Sequence, residues 1–138
     1  MANINVNISY NPSTNTWSQD LGDKIQVNDQ GANPIRWGIA LAPGATGSIK
    51  FSTTNAAPGI AFFTTSVFPA VWPGATPQGN SNNWNSSLTN ALKVGDAAQT
   101  YEYKVNALYT PANGVETPVS WDPEVEENPP SSAAIKLG

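Results

Sequence analysis

Apolar residues alternate with asparagine through the first ten positions, and this period of two is the chain's strongest constraint. Ile4, Val6, Ile8 and Tyr10 fall on one side of an extended strand, and Asn3, Asn5, Asn7 and Ser9 on the other. A helix would scatter both sets around its circumference, whereas a strand buries one and wets the other. The same period returns late in the chain. There Tyr101, Tyr103, Val105, Ala107 and Tyr109 alternate with Glu102, Lys104, Asn106 and Leu108. The "PANG" turn (Pro111–Gly114) then predicts a hairpin, with "ETPVSW" as the return strand.

Shorter segments fit the same scheme. Ile25 and Val27 mark a strand over 24–28. Ile35, Trp37, Ile39 and Leu41 mark one over 35–42, and Ile49 and Phe51 another. "GIAFFTTSVF" is more continuously apolar, as for a strand covered on both faces. Residues 69–90 hold prolines, glycines and amides and read as a long loop, with one helical turn near Ser87–Leu92. The ending over 131–138 reads as a last edge strand or a loose tail. About seven short strands in one domain spanning 1–138 predict an all-β fold, an antiparallel two-sheet sandwich, with a closed barrel as the alternative.

Composition narrows the chemistry. The 138 residues include no cysteine and no histidine. Disulfides, thiolate nucleophiles, Ser-His-Asp arrangements and the usual zinc or copper ligand sets are therefore unavailable. Net charge is −4, and the six Lys and Arg residues are scattered. No nucleic-acid partner is expected, because phosphate binding needs clustered cations. No membrane insertion is expected either, since the apolar stretches are too short to span a bilayer. The opening "MANINVNISY" lacks the basic and apolar regions of a secretory signal, which points to a cytoplasmic protein. No cofactor is expected.

Asp96 preceding Tyr101 on a late strand, with Trp37 on an early one, resembles the corner and core pattern of immunoglobulin-like or cupredoxin-like sandwiches. The spacing is one residue longer than that pattern, and cupredoxin copper ligands are absent. The last forty or so residues carry a further likeness. "YEYKV", a turn, a return strand, then Asp122-Pro123 and "EVEENP" resemble the DP-EP family of small bacterial proteins, although Asn128-Pro129 stands where a Glu-Pro would be. That resemblance implies a compact β-sandwich and supplies no catalytic residue.

Two surfaces draw attention. Glu116 through Glu127 contains five acids and no base. On a straight strand Asp122, Glu124 and Glu126 would share a face about 7 Å apart. Calcium needs donors converging at about 2.3–2.6 Å, so no metal site is expected from these three. Inverting glycoside hydrolysis would accept such a spacing, but only with the carboxylates facing across a cleft. Pro123 and the like charges read instead as the closure of a sheet edge, or as a docking surface for a cationic partner.

The second surface is aromatic. Trp37 and Trp121 lie on predicted strands and belong to the core, while Trp17, Trp72 and Trp84 lie among Pro, Gly, Asn and Ser. Loop aromatics beside amides suit ligand binding, and Trp72 and Trp84 are the ligand-binding candidates. Capping the ends of the sandwich is their structural alternative. The expected function is a non-enzymatic binding or protein-interaction module whose partner is protein, either a second copy or another chain. A carbohydrate-binding domain using those tryptophans is the alternative, with a glycan as partner. A hydrolase using Asp122 or Glu124 ranks last.

Overall fold

A computed structural model describes residues 3–130, so the tail strand considered for 131–138 lies outside the described residues. The strands in order are β1 (Ile4–Asn11), β2 (Thr16–Gln19), β3 (Lys24–Val27), β4 (Gly31–Leu41), β5 (Ser48–Phe51), β6 (Thr53–Thr54) and β7 (Ala57–Pro58). They continue with β8 (Ile60–Phe63), β9 (Gln78–Gly79), β10 (Asn83–Asn90), β11 (Gln99–Thr110), β12 (Thr117–Trp121) and β13 (Glu124–Glu127). They form an all-β sandwich of a five-stranded and a six-stranded sheet, plus the small hairpin β6–β7.

The first sheet runs β2-β1-β4-β10-β9. β4 is its axis, with Trp37 flanked by Val6 of β1 and Trp84 of β10. All three side chains sit in the core, as the alternation requires. The second sheet is built on the twelve-residue β11. β12 and β13 follow one another along one side of it in an unbroken register, Trp121 opposite Val105 and Glu124 opposite Glu102. Between them Pro123 accepts the Tyr103 N–H at 3.1 Å but has no N–H to return, so the strand is interrupted there. On the other side of β11 lie β5 and β8, and β3 lies beyond β13.

Several expectations change. Two pairings are parallel, β1 with β4 and β3 with β13, so the sandwich is mixed rather than wholly antiparallel. Alternation states which face is buried but not which way the neighbour runs. Here the chain crosses to the other sheet as β3 before returning as β4, and such a crossover allows parallel pairing. The sheets hold eleven strands rather than about seven. The apolar run over 59–68 is a strand only to Phe63. The long loop assigned to 69–90 contains β9 and all of β10, and no helical turn forms at Ser87–Leu92.

β10 escaped notice because its inward positions are Trp84, Ser86, Leu88 and Asn90, only half of them apolar. Asn90 is buried because its amide is fully used. Nδ2 donates to the carbonyls of Val27 (3.3 Å) and Asn128 (3.0 Å), and Oδ1 accepts from Leu92 N–H (3.1 Å). This one side chain ties the first sheet to the ends of β3 and β13. The acidic segment does not close an edge at β13, which lies between β11 and β3.

The core gathers Val6, Ile8, Ile25, Ile35, Trp37, Leu88, Val105 and Val125, each 0–1 % exposed. A buried polar relay crosses it. The Tyr103 hydroxyl donates to Gln19 Oε1 at 3.0 Å and accepts from Trp37 Nε1 at 3.4 Å. Tyr101 does not make the corner bond of immunoglobulin-like domains, because its hydroxyl donates to Glu127 Oε1 at 3.1 Å. Asp96 instead accepts the Lys93 N–H at 2.7 Å within its own turn. Trp17 lies on β2 rather than in a loop. It stacks within 5° of parallel on Trp121 of β12, centroids 5.9 Å apart, and closes that side of the sandwich.

Candidate functional site

The opposite side of the sandwich, between β8 and β9, stays open as a groove of about 680 Å³. Pro58, Ile60 and Phe62 line one wall. Trp72, Gly74, Gly79 and Trp84 line the other. Thr53, Asn55, Thr76 and Gln78 supply its polar atoms, and no lining residue carries a charge. The two tryptophans singled out by sequence therefore meet in one concave surface, though not as exposed loop rings. Trp72 is half-buried, stacked on Phe62 (centroids 3.4 Å, 13°) and edge-on to Tyr101 at 5.6 Å. Its indole N–H is engaged by the Ala75 carbonyl and Ser86 Oγ at 3.2 and 3.3 Å.

Trp84 is a core residue, 6 % exposed. Its indole lies against two glycines, Gly79 of β9 and Gly59 between β7 and β8, where a Cβ at either would overlap it. Close approach of ring to backbone needs the missing side chains. The consequence is an indole N–H, buried at the floor beside Gly59, with no hydrogen-bond partner among the described residues. Buried donors are nearly always paired, so this one stands out. Sequence reasoning missed Gly59 and Gly79; paired glycines flanking a tryptophan strand were the available signal.

Both walls end in unpaired backbone. Tyr103 gives its N–H to Pro123 on one side of β11, and Asn106 gives its N–H to Gly59 on the other at 2.9 Å. Ile60 and Phe62 sit opposite Val105 and Tyr103. They are therefore the non-hydrogen-bonded pairs of this antiparallel ladder, and their N–H and C=O groups point away from β11. On the far wall Asn80 N–H bonds the Asn83 carbonyl at 2.9 Å, which makes Gly79, opposite Trp84, a non-hydrogen-bonded position too. No further backbone bond satisfies Ile60, Phe62 or Gly79 among the described residues. Two sheet edges thus border one uncharged groove.

The acidic segment resolves differently. Glu124 and Glu126 share Lys24 of the adjacent β3, at 3.6 and 3.8 Å, and Glu116 pairs with Lys50 at 3.4 Å. The bases missing from the local sequence arrive from other strands. Burial, then the charges of Asp122 and Glu124, push the Glu102 carboxyl up. Asp122, Glu124 and Glu126 are not brought together as ligands: among the described residues no three acidic side chains are placed to hold a metal. None of them lines the groove.

Glu127, the last acid of the run, points into the core. It is 2 % exposed, and its Oε2 has no partner among the described residues. Burial raises its pKa, and the bond from Tyr101 only partly opposes this. The folded state therefore holds this proton more tightly than the unfolded chain does. Its contribution is most favourable at low pH and is lost as pH rises above the ordinary glutamate range. Glu127→Gln is expected to stabilise the protein by about 1 kcal/mol at pH 8, with the gain vanishing near pH 4. Urea melts of parent and variant at both pH values check this.

No family model matches the chain, and no curated protein matches its sequence.

Proposed function

We propose that this chain is a non-enzymatic interaction module that receives its partner in the groove between β8 and β9. One observation carries the reading: an uncharged aromatic groove bordered by two sheet edges whose backbone groups have no partner among the described residues. Such a surface offers binding without chemistry, since its lining has no titratable side chain to act as acid, base or nucleophile. The resemblance to the DP-EP family, which implies no catalytic residue, is in keeping with this.

Carbohydrate binding through Trp72 and Trp84 is the second reading, favoured by their shared groove and by Asn55 and Gln78 beside them. It is weakened by the rings themselves, because sugar stacking needs an open aromatic face. Trp72 is stacked on Phe62, and Trp84 is clamped between glycines. A hydrolase built on Asp122 or Glu124 has the least support, as both lie away from the groove.

Val71 stands at the rim, 77 % exposed. Val71→Asp is expected to lower affinity for a groove ligand at least tenfold while leaving the melting temperature within a degree or two. A charge at that rim would have to be desolvated on binding, whereas an exposed substitution changes stability by only about 0.5 kcal/mol. Ligands that move only the indole signals of Trp17 and Trp121, leaving Trp72 and Trp84 unchanged, would place the working surface elsewhere.

A further inference from the structure

The occupant's class follows from the groove's backbone, and the inference rests on the reading just given. We infer that the groove takes an uncharged, extended polypeptide segment of a partner protein, which adds to the second sheet as a new strand alongside β8. Two features converge on this. The outward N–H and C=O groups of Ile60 and Phe62 recur at about 7 Å, the repeat with which one strand reads another. A glycan cannot match that ladder, whereas a peptide in extended form matches it along its whole length.

The edge is also unguarded. Proteins discourage strand addition by placing Lys, Pro, bulges or very short strands at an exposed edge. β8 reads Ile-Ala-Phe-Phe, with neither a charge nor a proline. Elsewhere in the second sheet protection is present: Pro118 lies within β12, and Lys24 lies on β3. Within the second sheet the unprotected edge is thus β8, facing the groove; the β2 edge of the first sheet, Thr-Trp-Ser-Gln, is likewise free of charge and proline but borders no such groove.

The absence of charge in the lining selects the segment's composition: a Lys, Asp or Glu side chain directed inward would lose its hydration with nothing to replace it. The segment is therefore apolar or hydroxyl-bearing on its inward side. It spans about four residues, the length of β8.

The test begins with the free protein. Amide exchange is expected to alternate along β8, with Ala61 and Phe63, bonded to β11, exchanging at least tenfold more slowly than Ile60 and Phe62. A display library of random eight-residue uncharged peptides is then selected on the full chain, and the winning peptide is synthesised. A second form is N-methylated at alternate residues, and cellohexaose serves as the saccharide probe. The expected result is at least tenfold protection of Ile60 and Phe62, with a shifted Trp84 indole signal and an unmoved Trp37 one. Methylation of the edge facing β8 should weaken binding thirtyfold or more.

Peptide binding that moves Trp72 and Trp84 without protecting Ile60 and Phe62 would overturn strand addition and leave the groove reading standing. Cellohexaose binding there, with no peptide selected, would do the same. A free protein that self-associates with Ile60 and Phe62 already protected would assign the edge to a second copy and overturn the inference. If neither probe perturbs the groove, the inference and the groove reading fall together.

Discussion

Trp37→Ala is expected to cost about 3–5 kcal/mol, a large part of the roughly 5–15 kcal/mol that holds a domain folded. Two losses add. The indole is 0 % exposed and packs against Phe62 and Tyr103, with ring centroids 6.1 and 5.7 Å away. Its removal leaves a cavity between Val6 and Trp84, which are fixed on either side by the β1 and β10 ladders and cannot collapse inward. The second loss is polar, since Tyr103 keeps its bond to Gln19 but no longer receives the indole N–H. Urea denaturation should show a lower midpoint with an unchanged slope. A loss below about 1 kcal/mol would mean that Trp37 does not close the space between the sheets.

That prediction was within reach of the sequence, because Trp37 lies on a strand whose alternation is plain. So do Val6 and Val105, both buried as the period of two requires. Where alternation was carried by greasy residues, fold and core were legible. Where the inward positions were polar but satisfied, they were not. Asn90 and Gln19 are buried because each finds partners at or beside the strands of the opposite sheet, and those partners are distant in sequence. β10 was hidden for this reason, and with it the real setting of Trp84.

The site was half legible. Trp72 and Trp84, named as ligand-binding candidates, do line one groove, but the reason for naming them, exposed rings among amides, does not describe them. What makes the groove distinctive is backbone: the edges of β8 and β9, unpaired among the described residues. Edge status depends on strand order, and strand order depends on contacts no local pattern encodes. The acidic run misled in the opposite direction. Its local charge is unbalanced, yet Lys24 and Lys50 reach it from β3 and β5.

The groove floor makes the second large effect testable at one atom. Gly59→Ala is expected to destabilise the protein by about 1–3 kcal/mol and to displace the Trp84 indole. The backbone at Gly59 is not in the left-handed region, so strain comes from space alone. An added Cβ would lie 2.7 Å from Trp84 Cε2 and 2.8 Å from Phe51 Cβ, and closer still to Nε1. None of these can yield easily. Phe51 is 1 % exposed, Trp84 is backed by Gly79, and the Gly59 carbonyl holds the Asn106 N–H. Gly38→Ala on β4 is the matched control, because the nearest atoms there lie 3.7 and 3.8 Å away. That change should be neutral or slightly stabilising, by reducing the freedom of the unfolded chain. If both variants melt together and the Trp84 indole signal is unmoved in Gly59→Ala, the indole does not rest on Gly59. The buried, unpaired N–H would then not be sealed beneath Gly59, and the close approach of ring to backbone that shapes this end of the groove would be lost.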